Sequence, residues 1–395
     1  MTTARRIESI DIMRGLTLLL MLFVNDLNMN VAPKWLGHTV AEYEGMGLAD
    51  WVFPGFLFMV GMAVPFAISG RLKKGESIPF ILGHIITRTV SLLVIGVMMV
   101  NIRRSNPELT GMSINLWAVL MYVSAFLIWN DYPKEKNPIL VNLLKYGGVA
   151  LMIFLALIFQ SGTESEPGWL ITDWWGILGM IGWGYLVTSL LYLAFRDSVA
   201  GAAAAVLFFL ALNILDLSGM LGFLDPLRPA LGIIIAGNTP LIVVTGLLAG
   251  VLLKKLKGAD DSRILLIFTI LGVVSLALGF FLRRWFIISK LIGTPSWAMI
   301  CSGISFLVFT LIYWLADVKG HRKWAAFVRP AGRSSLTTYL APDILYYTSW
   351  MLPFPVLVYK LSPNPLVVVL GSLAWALLMV GLTVVLEKLN IRLKL

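Results

Sequence analysis

Apolar runs long enough to cross a bilayer recur from one end of this chain to the other, separated by short polar breaks. Stretches of about 17–25 apolar residues fall near 10–27, 49–69, 79–100, 113–130, 139–160, 174–195, 199–218, 238–256, 264–282, 295–316, 332–352 and 365–389. The pattern predicts an all-α, polytopic membrane bundle of about 12 helices, within a range of 10–12. The sixth and seventh spans are separated only by Arg196-Asp197-Ser198, and the eleventh contains Pro342. The small residues at 200–205 suit close packing against neighbouring helices. No linker or low-complexity stretch interrupts residues 1–395, so one transmembrane domain is expected.

Composition agrees with the pattern. Apolar residues make up 58% of the chain and charged residues 13%, against about 25% charged in ordinary soluble domains. That excludes a water-soluble fold. The net charge of +10 would raise the question of nucleic acid in a soluble protein, but cytoplasmic loops of membrane proteins accumulate Lys and Arg. A cytoplasmic N-terminus puts Arg5, Arg6, Arg71, Lys73, Lys74, Lys254, Lys255, Lys257, Arg263, Lys319, Arg322, Lys323 and Arg329 on that side. Both termini are therefore expected in the cytoplasm, and no nucleic acid is needed. The first apolar stretch carries Asp11 and Arg14 and lacks a small-residue cleavage site, so it reads as a permanent span. The single cysteine, Cys301, rules out an intramolecular disulfide, and three histidines leave little for a metal site. No metal is expected.

The densest polar cluster lies in the first span and the loop after it. Asp11 and Arg14 stand three apart, which suits a local salt bridge. Asn25 and Asp26 end the same helix, where a cap or turn role is an alternative to function. On the far side, His38 is followed by Glu42, Glu44 and Asp50. Imidazole titrates near neutrality and a carboxylate can fix its tautomer, so these are the parts of a general base. Asp50 is equally suited to capping the second span. On the basic side, Arg71, Lys73 and Lys74, with His84 and Arg88 at i, i+4, could hold phosphates or simply anchor the helix ends. Arg333 and Ser334 open the eleventh span, where a helix N-terminus favours anions. No Walker loop, GxGxxG, GxSxG or HExxH is present.

Longer motifs carry a resemblance. Ser9-Ile10-Asp11-Ile12-Met13-Arg14-Gly15, Phe23-Val24-Asn25-Asp26, Trp35-Leu36-Gly37-His38 and Asp50-Trp51-Val52-Phe53-Pro54-Gly55 are joined in the C-terminal half by Gly293-Thr294-Pro295-Ser296-Trp297, Asp317-Val318-Lys319-Gly320 and Pro330-Ala331-Gly332-Arg333-Ser334-Ser335. Together they resemble the transmembrane acyltransferases related to heparan-α-glucosaminide N-acetyltransferase. Within that family the chain looks closest to a bacterial branch associated with N-acetylglucosamine use, whose members are also described as inner-membrane sugar transporters. The resemblance implies a multi-pass protein of the bacterial inner membrane, with acetyl-CoA loaded from the cytoplasm, an amino-sugar acceptor on the far side, and a homodimer. It places the acetyl-handling histidine at His38, with Asn25 and Asp50 as its companions. It also implies that the hairpin at about 113–160 is an insertion. The chain departs from the family pattern in carrying Gly37 before the histidine and Glu44 in place of an aspartate.

The resulting expectation is acetyl transfer to the amine of glucosamine or a glucosamine-ended saccharide. His38 serves as base or nucleophile, Asn25 as oxyanion donor, and Asp50 or Glu44 as the orienting carboxylate. Asp26 and Trp35 lie on the acceptor side. The donor's phosphates fall to Arg71, Lys73, Lys74, His84, Arg88, Arg333 and Ser334. The competing expectation is an N-acetylglucosamine transporter, with helices broken at Pro54, Pro65, Pro240 and Pro342 around a midplane site.

Overall fold

A backbone surrounded by hydrocarbon must satisfy its own hydrogen bonds, so the apolar runs have little choice but to become helices. The computed structural model describes residues 7–256 and 260–395, and Arg5, Arg6 and Lys257 lie outside them. Each expected span is occupied by a helix: α1 (Glu8–Asp26), α2 (Leu48–Lys73), α3 (Ile78–Asn101), α4 (Ile114–Trp129), α5 (Pro138–Ile158), α6 (Gly176–Phe195), α7 (Val199–Leu217), α8 (Asn238–Leu256), α9 (Asp261–Leu282), α10 (Pro295–Tyr313), α11 (Ser335–Ser349) and α12 (Pro365–Lys388). The protein is an all-α multi-pass membrane protein. Among the described residues, nine helical segments are long and apolar enough to cross a membrane. Helix α1 falls short because Glu8, Asp11, Arg14 and Asp26 interrupt it, and α4 and α11 fall short in length.

The helix starts follow from local sequence. Asn137, Thr294 and Asn364 accept backbone N–H groups of the first turn, and each is followed by a proline at the first helical position. Two features were not expected. A short helix, Arg228–Ala236, precedes α8. The eleventh span is split at Ser334 into a turn of helix, Arg329–Arg333, and α11. In the small-residue run of α7, Ala202 and Ala205, three apart on one face, are the buried members.

Helices α2, α8 and α10 form the centre of the bundle, and α1 packs against α2 and α12. The α2–α8 crossing depends on missing side chains. A Cβ on Gly61 would lie 1.8 Å from the Val243 carbonyl oxygen, and one on Gly246 would lie 2.0 Å from that of Phe58. Small residues let membrane helices approach this closely and gain dispersion contacts where burial from water offers no driving force. Helix α1 is tied at both ends. Asp317, in a π-helical turn after α10, accepts the Glu8 and Ser9 N–H groups at 3.1 and 2.9 Å, satisfying two orphan donors of the helix start. At the opposite end, Asp26 accepts hydrogen bonds from the Tyr346 and Tyr359 hydroxyls and pairs with Lys360 at 2.7 Å.

Prolines do not break the spans. Helix α2 runs without interruption through Pro54 and Pro65, and α11 runs through Pro342, while Pro240 sits in the first turn of α8. Replacing Gly61 or Gly246 by valine is expected to cost about 1–3 kcal/mol or more, because the obstructing atoms are backbone. Thermal unfolding in detergent should show a clear fall in midpoint for either variant, and an unchanged midpoint would contradict the packing described.

Candidate functional site

The first residues of α2 build one end of the site. Gly47 occupies the N-cap position and Asp50 stands three residues later, reaching back so that its Oδ2 accepts the Gly47 N–H at 2.9 Å. The same oxygen accepts the Thr39 N–H at 3.1 Å and the Thr39 hydroxyl at 3.2 Å. Its other oxygen, Oδ1, lies 2.7 Å from His38 Nδ1. The cap of α2 is therefore Gly47, and Asp50 instead joins the helix start to the histidine loop. Asp50 is fully buried, whereas the His38 side chain is 46% exposed. An ionised carboxylate is acceptor-only, so Nδ1 donates to it and Nε2 is left as the basic nitrogen.

A proline sharpens this arrangement. Pro54 has no N–H to give the carbonyl of residue 50, four positions earlier. Trp297 of α10 donates its indole N–H to that oxygen at 3.1 Å, and Cys301 approaches it at 3.7 Å. Trp297 thereby satisfies a buried carbonyl that an unbroken ladder would have used, and fixes α2 against α10.

Lys290 completes the environment. Its ammonium lies 3.2 Å from His38 Nδ1 and 3.9 Å from Asp50 Oδ1, and donates to the Ala49 carbonyl at 3.3 Å. Lys290 lies in the loop after α9, and burial pushes its ammonium below the usual lysine range against the opposing pull of Asp50. The same loop is bonded to the histidine loop through Ser289 Oγ to the Ala41 carbonyl, at 2.9 Å, and Gly45 N–H to the Ile288 carbonyl, at 2.9 Å.

Other expected residues are placed differently. Glu44 does not orient His38: Arg283 Nε donates to its carboxylate at 2.5 Å, and that hydrogen bond holds the Glu44 carboxyl below its ordinary value. Arg283 is correspondingly engaged. Asp26 is buried with both oxygens committed to Tyr346, Tyr359 and Lys360, which makes it an anchor for the end of α1. Trp35 is 68% exposed on the loop surface. Asn25 is exposed at the end of α1.

Elsewhere in the bundle a cavity of about 420 Å³ lies between α1, α2, α3, α6 and α11. Phe56, Val60, Ala63, Val64 and Ala67 of α2 form one wall at helical spacing, and Arg14, Arg88, Arg333, Arg392 and Lys394 supply cations. A side lobe of about 250 Å³ shares Arg88, Tyr185 and Lys394 and adds Arg71 and His84. Neither lining includes an Asp or Glu. The Arg88 guanidinium sits 4.7 Å from the centre of the Tyr185 ring, a cation–π contact. Arg71 also pairs with Glu76 at 2.8 Å. Lys73 and Lys74 are exposed and outside both linings, and Ser334 turns away to donate to Glu387. Sequence reasoning did not anticipate Lys290, or the cavity roles of Arg14, Arg392 and Lys394. The Gly293-Thr294-Pro295-Ser296-Trp297 motif was the available signal for the first, since it directly follows the Lys290 loop.

A histidine–carboxylate pair and a cation-lined cavity thus occur together in a multi-pass helical bundle. Comparison with known proteins narrows the class. Residues 6–174 match a family described as a domain of unknown function, DUF5009. The chain is 25% identical over 367 residues to human heparan-alpha-glucosaminide N-acetyltransferase, covering 86% of this chain and 53% of that protein. It is 35% identical over 100 residues to the mouse protein of the same name, covering 25% of this chain and 15% of that one. The chain is thus similar in sequence to these N-acetyltransferases, and it spans about half the length of the human relative.

Asp50→Ala would leave the Gly47 and Thr39 donors unpaired, and Lys290 without its counter-charge. The expected loss is about 3–5 kcal/mol, the usual result of removing one partner from a buried charge pair. His38→Ala should cost about 1 kcal/mol, roughly one net hydrogen bond. Parallel thermal denaturation of the two variants measures the difference, and equal losses would contradict Asp50 as the structural hub.

Proposed function

We propose that this chain is an N-acetyltransferase that takes acetyl from acetyl-CoA in the basic cavity and delivers it to the amine of an amino sugar at the His38 face. The observation that carries the reading is the alignment of both features along α2. Asp50 lies in its first turn, the cavity wall runs from Phe56 to Ala67, and Arg71 closes the far end. At 1.5 Å per residue, Phe56 lies about 9 Å along the axis from Asp50. Charge supports the polarity as well. The cavity enters from the end bearing Arg71, Lys254 and Lys319, which the positive-inside rule assigns to the cytoplasm, and His38 then faces the periplasm of a bacterial inner membrane.

In this mechanism the donor's phosphates lie against Arg14, Arg88, Arg333 and the side lobe's Arg71 and His84, through charge-assisted hydrogen bonds. The pantetheine arm follows the apolar wall of α2 toward His38. The acceptor amine attacks the thioester carbonyl, forming the C–N bond as its proton passes to His38 Nε2. Collapse of the tetrahedral intermediate breaks the C–S bond, and the departing thiolate takes the proton back from the His38 imidazolium, which restores the neutral base. Asp50 keeps the imidazole in the required tautomer and stabilises the imidazolium that forms. Lys290 balances the Asp50 charge. Asn25, exposed at the end of α1, is the proposed oxyanion donor. Direct attack is preferred over an acetyl-histidine intermediate because a deprotonated amine is already a good nucleophile. The transporter alternative called for helices broken at prolines, whereas α2 and α11 run through Pro54, Pro65 and Pro342.

The test is transfer of radiolabelled acetyl from acetyl-CoA to glucosamine and a panel of related amino sugars. His38→Ala should lose about 10²–10⁴ in turnover, the range for a positioned general base. Asp50→Asn, which keeps an acceptor for the loop, should lose activity with much less loss of stability than Asp50→Ala. Wild-type turnover by folded His38→Ala would overturn the assignment.

A further inference from the structure

Part of the cavity lining comes not from a span but from the last residues of the described chain, 392–395. Helix α12 ends at Lys388, and Asn390 adopts a left-handed φ of 59°. Asparagine tolerates this conformation better than other residues with a side chain. The Ile391 N–H then returns to the Leu386 carbonyl at 2.8 Å, a Schellman-type closure that turns the chain back across the bundle. The following residues lie extended along the end of α4. Asp131 N–H donates to the Arg392 carbonyl at 2.8 Å, Arg392 N–H to Asn130 Oδ1 at 2.8 Å, and Lys394 N–H to the Trp129 carbonyl at 2.8 Å. Leu393 is buried, and its N–H donates to Thr337 Oγ1 at 2.8 Å.

This backbone fixes the side chains. In an extended strand alternate residues share a side, so anchoring Leu393 in the core sets Arg392 and Lys394 together. Both line the main cavity, and Lys394 lines the side lobe as well. Arg392 donates to the Arg333 carbonyl at 3.1 Å, which brings it beside another cation of the cavity, while Lys394 reaches Asp131 at 3.4 Å. Two cations held at a cavity with no Asp or Glu in its lining, by a segment in which residues 390–394 each make a main-chain hydrogen bond, are poorly explained as a positive-inside anchor. Such anchors need no fixed geometry.

We propose that segment 390–395 is a built part of the donor site, and that Arg392 and Lys394 bind the phosphate groups of the nucleotide end of the thioester donor. This rests on the donor reading of the cavity and extends it: the tail discriminates a phosphate-bearing donor from the same thioester on bare pantetheine.

The experiment measures equilibrium binding of coenzyme A, and separately of pantetheine, to the full chain in detergent micelles by titration calorimetry. R392Q/K394Q should weaken coenzyme A binding about tenfold to a hundredfold, as expected for lost charge-assisted contacts, and should leave pantetheine binding unchanged. R392K/K394R should keep most of the coenzyme A affinity. Equal coenzyme A affinity in wild type and R392Q/K394Q would overturn the role of the tail while leaving the donor reading standing. Equal loss of both ligands would assign the tail a structural role and overturn the proposal too. Absence of coenzyme A binding by the wild-type chain would overturn the donor reading and the tail's role together.

Discussion

A buried carboxylate must be paired or hydrogen-bonded, because its desolvation is otherwise too costly to tolerate. Asp50 meets that requirement by gathering groups from three parts of the chain. Gly47 and Thr39 donate to one of its oxygens, His38 to the other, and Lys290 supplies the counter-charge. The start of α2, the histidine loop and the loop before α10 are therefore assembled around one ionised side chain. The missing N–H of Pro54 extends the same constraint into α10, because Trp297 fills the place at the Asp50 carbonyl.

The rest of the bundle keeps this assembly in register with the basic cavity. Gly61 and Gly246 bring α2 and α8 into backbone contact, which leaves α2 little freedom to slide. Because α2 carries Asp50 at one end and a cavity wall over its middle, the distance between Asp50 and that wall is set by helix rise rather than by loops. Asp317 and the Asp26 cluster hold α1, the cavity's other long wall, from both ends. Charge is scarce in this protein, and buried Asp26 and Asp50 fix helix ends.

The span pattern was legible because hydrocarbon leaves the backbone few options, and every expected stretch contains a helix. His38 and Asp50 stood out because polar residues are rare on that side. Their contact could be anticipated as chemistry but not as geometry. Glu44 shows the limit. It lies closer to His38 in sequence than Asp50 does, yet Arg283, from a loop 239 positions away, captures it. Lys290 was invisible for the same reason, since its partner lies 252 positions away. On the basic side, local charge density pointed to Lys73 and Lys74, which are merely exposed. The cavity cations Arg14, Arg392 and Lys394 are gathered by tertiary closure that no local pattern records. Ser334 looked like a helix-start anion ligand, but the break in the eleventh span turns its hydroxyl to Glu387.

A structure of the protein with bound coenzyme A is the most direct test of the proposal that the basic cavity and the His38–Asp50 pair are two ends of one site. The phosphates are expected beside Arg88, Arg333 and Arg392, with the thiol at the Met21 and Phe56 end of the cavity, directed toward His38. Coenzyme A bound elsewhere, or bound in the cavity with its thiol toward Arg71, would contradict it.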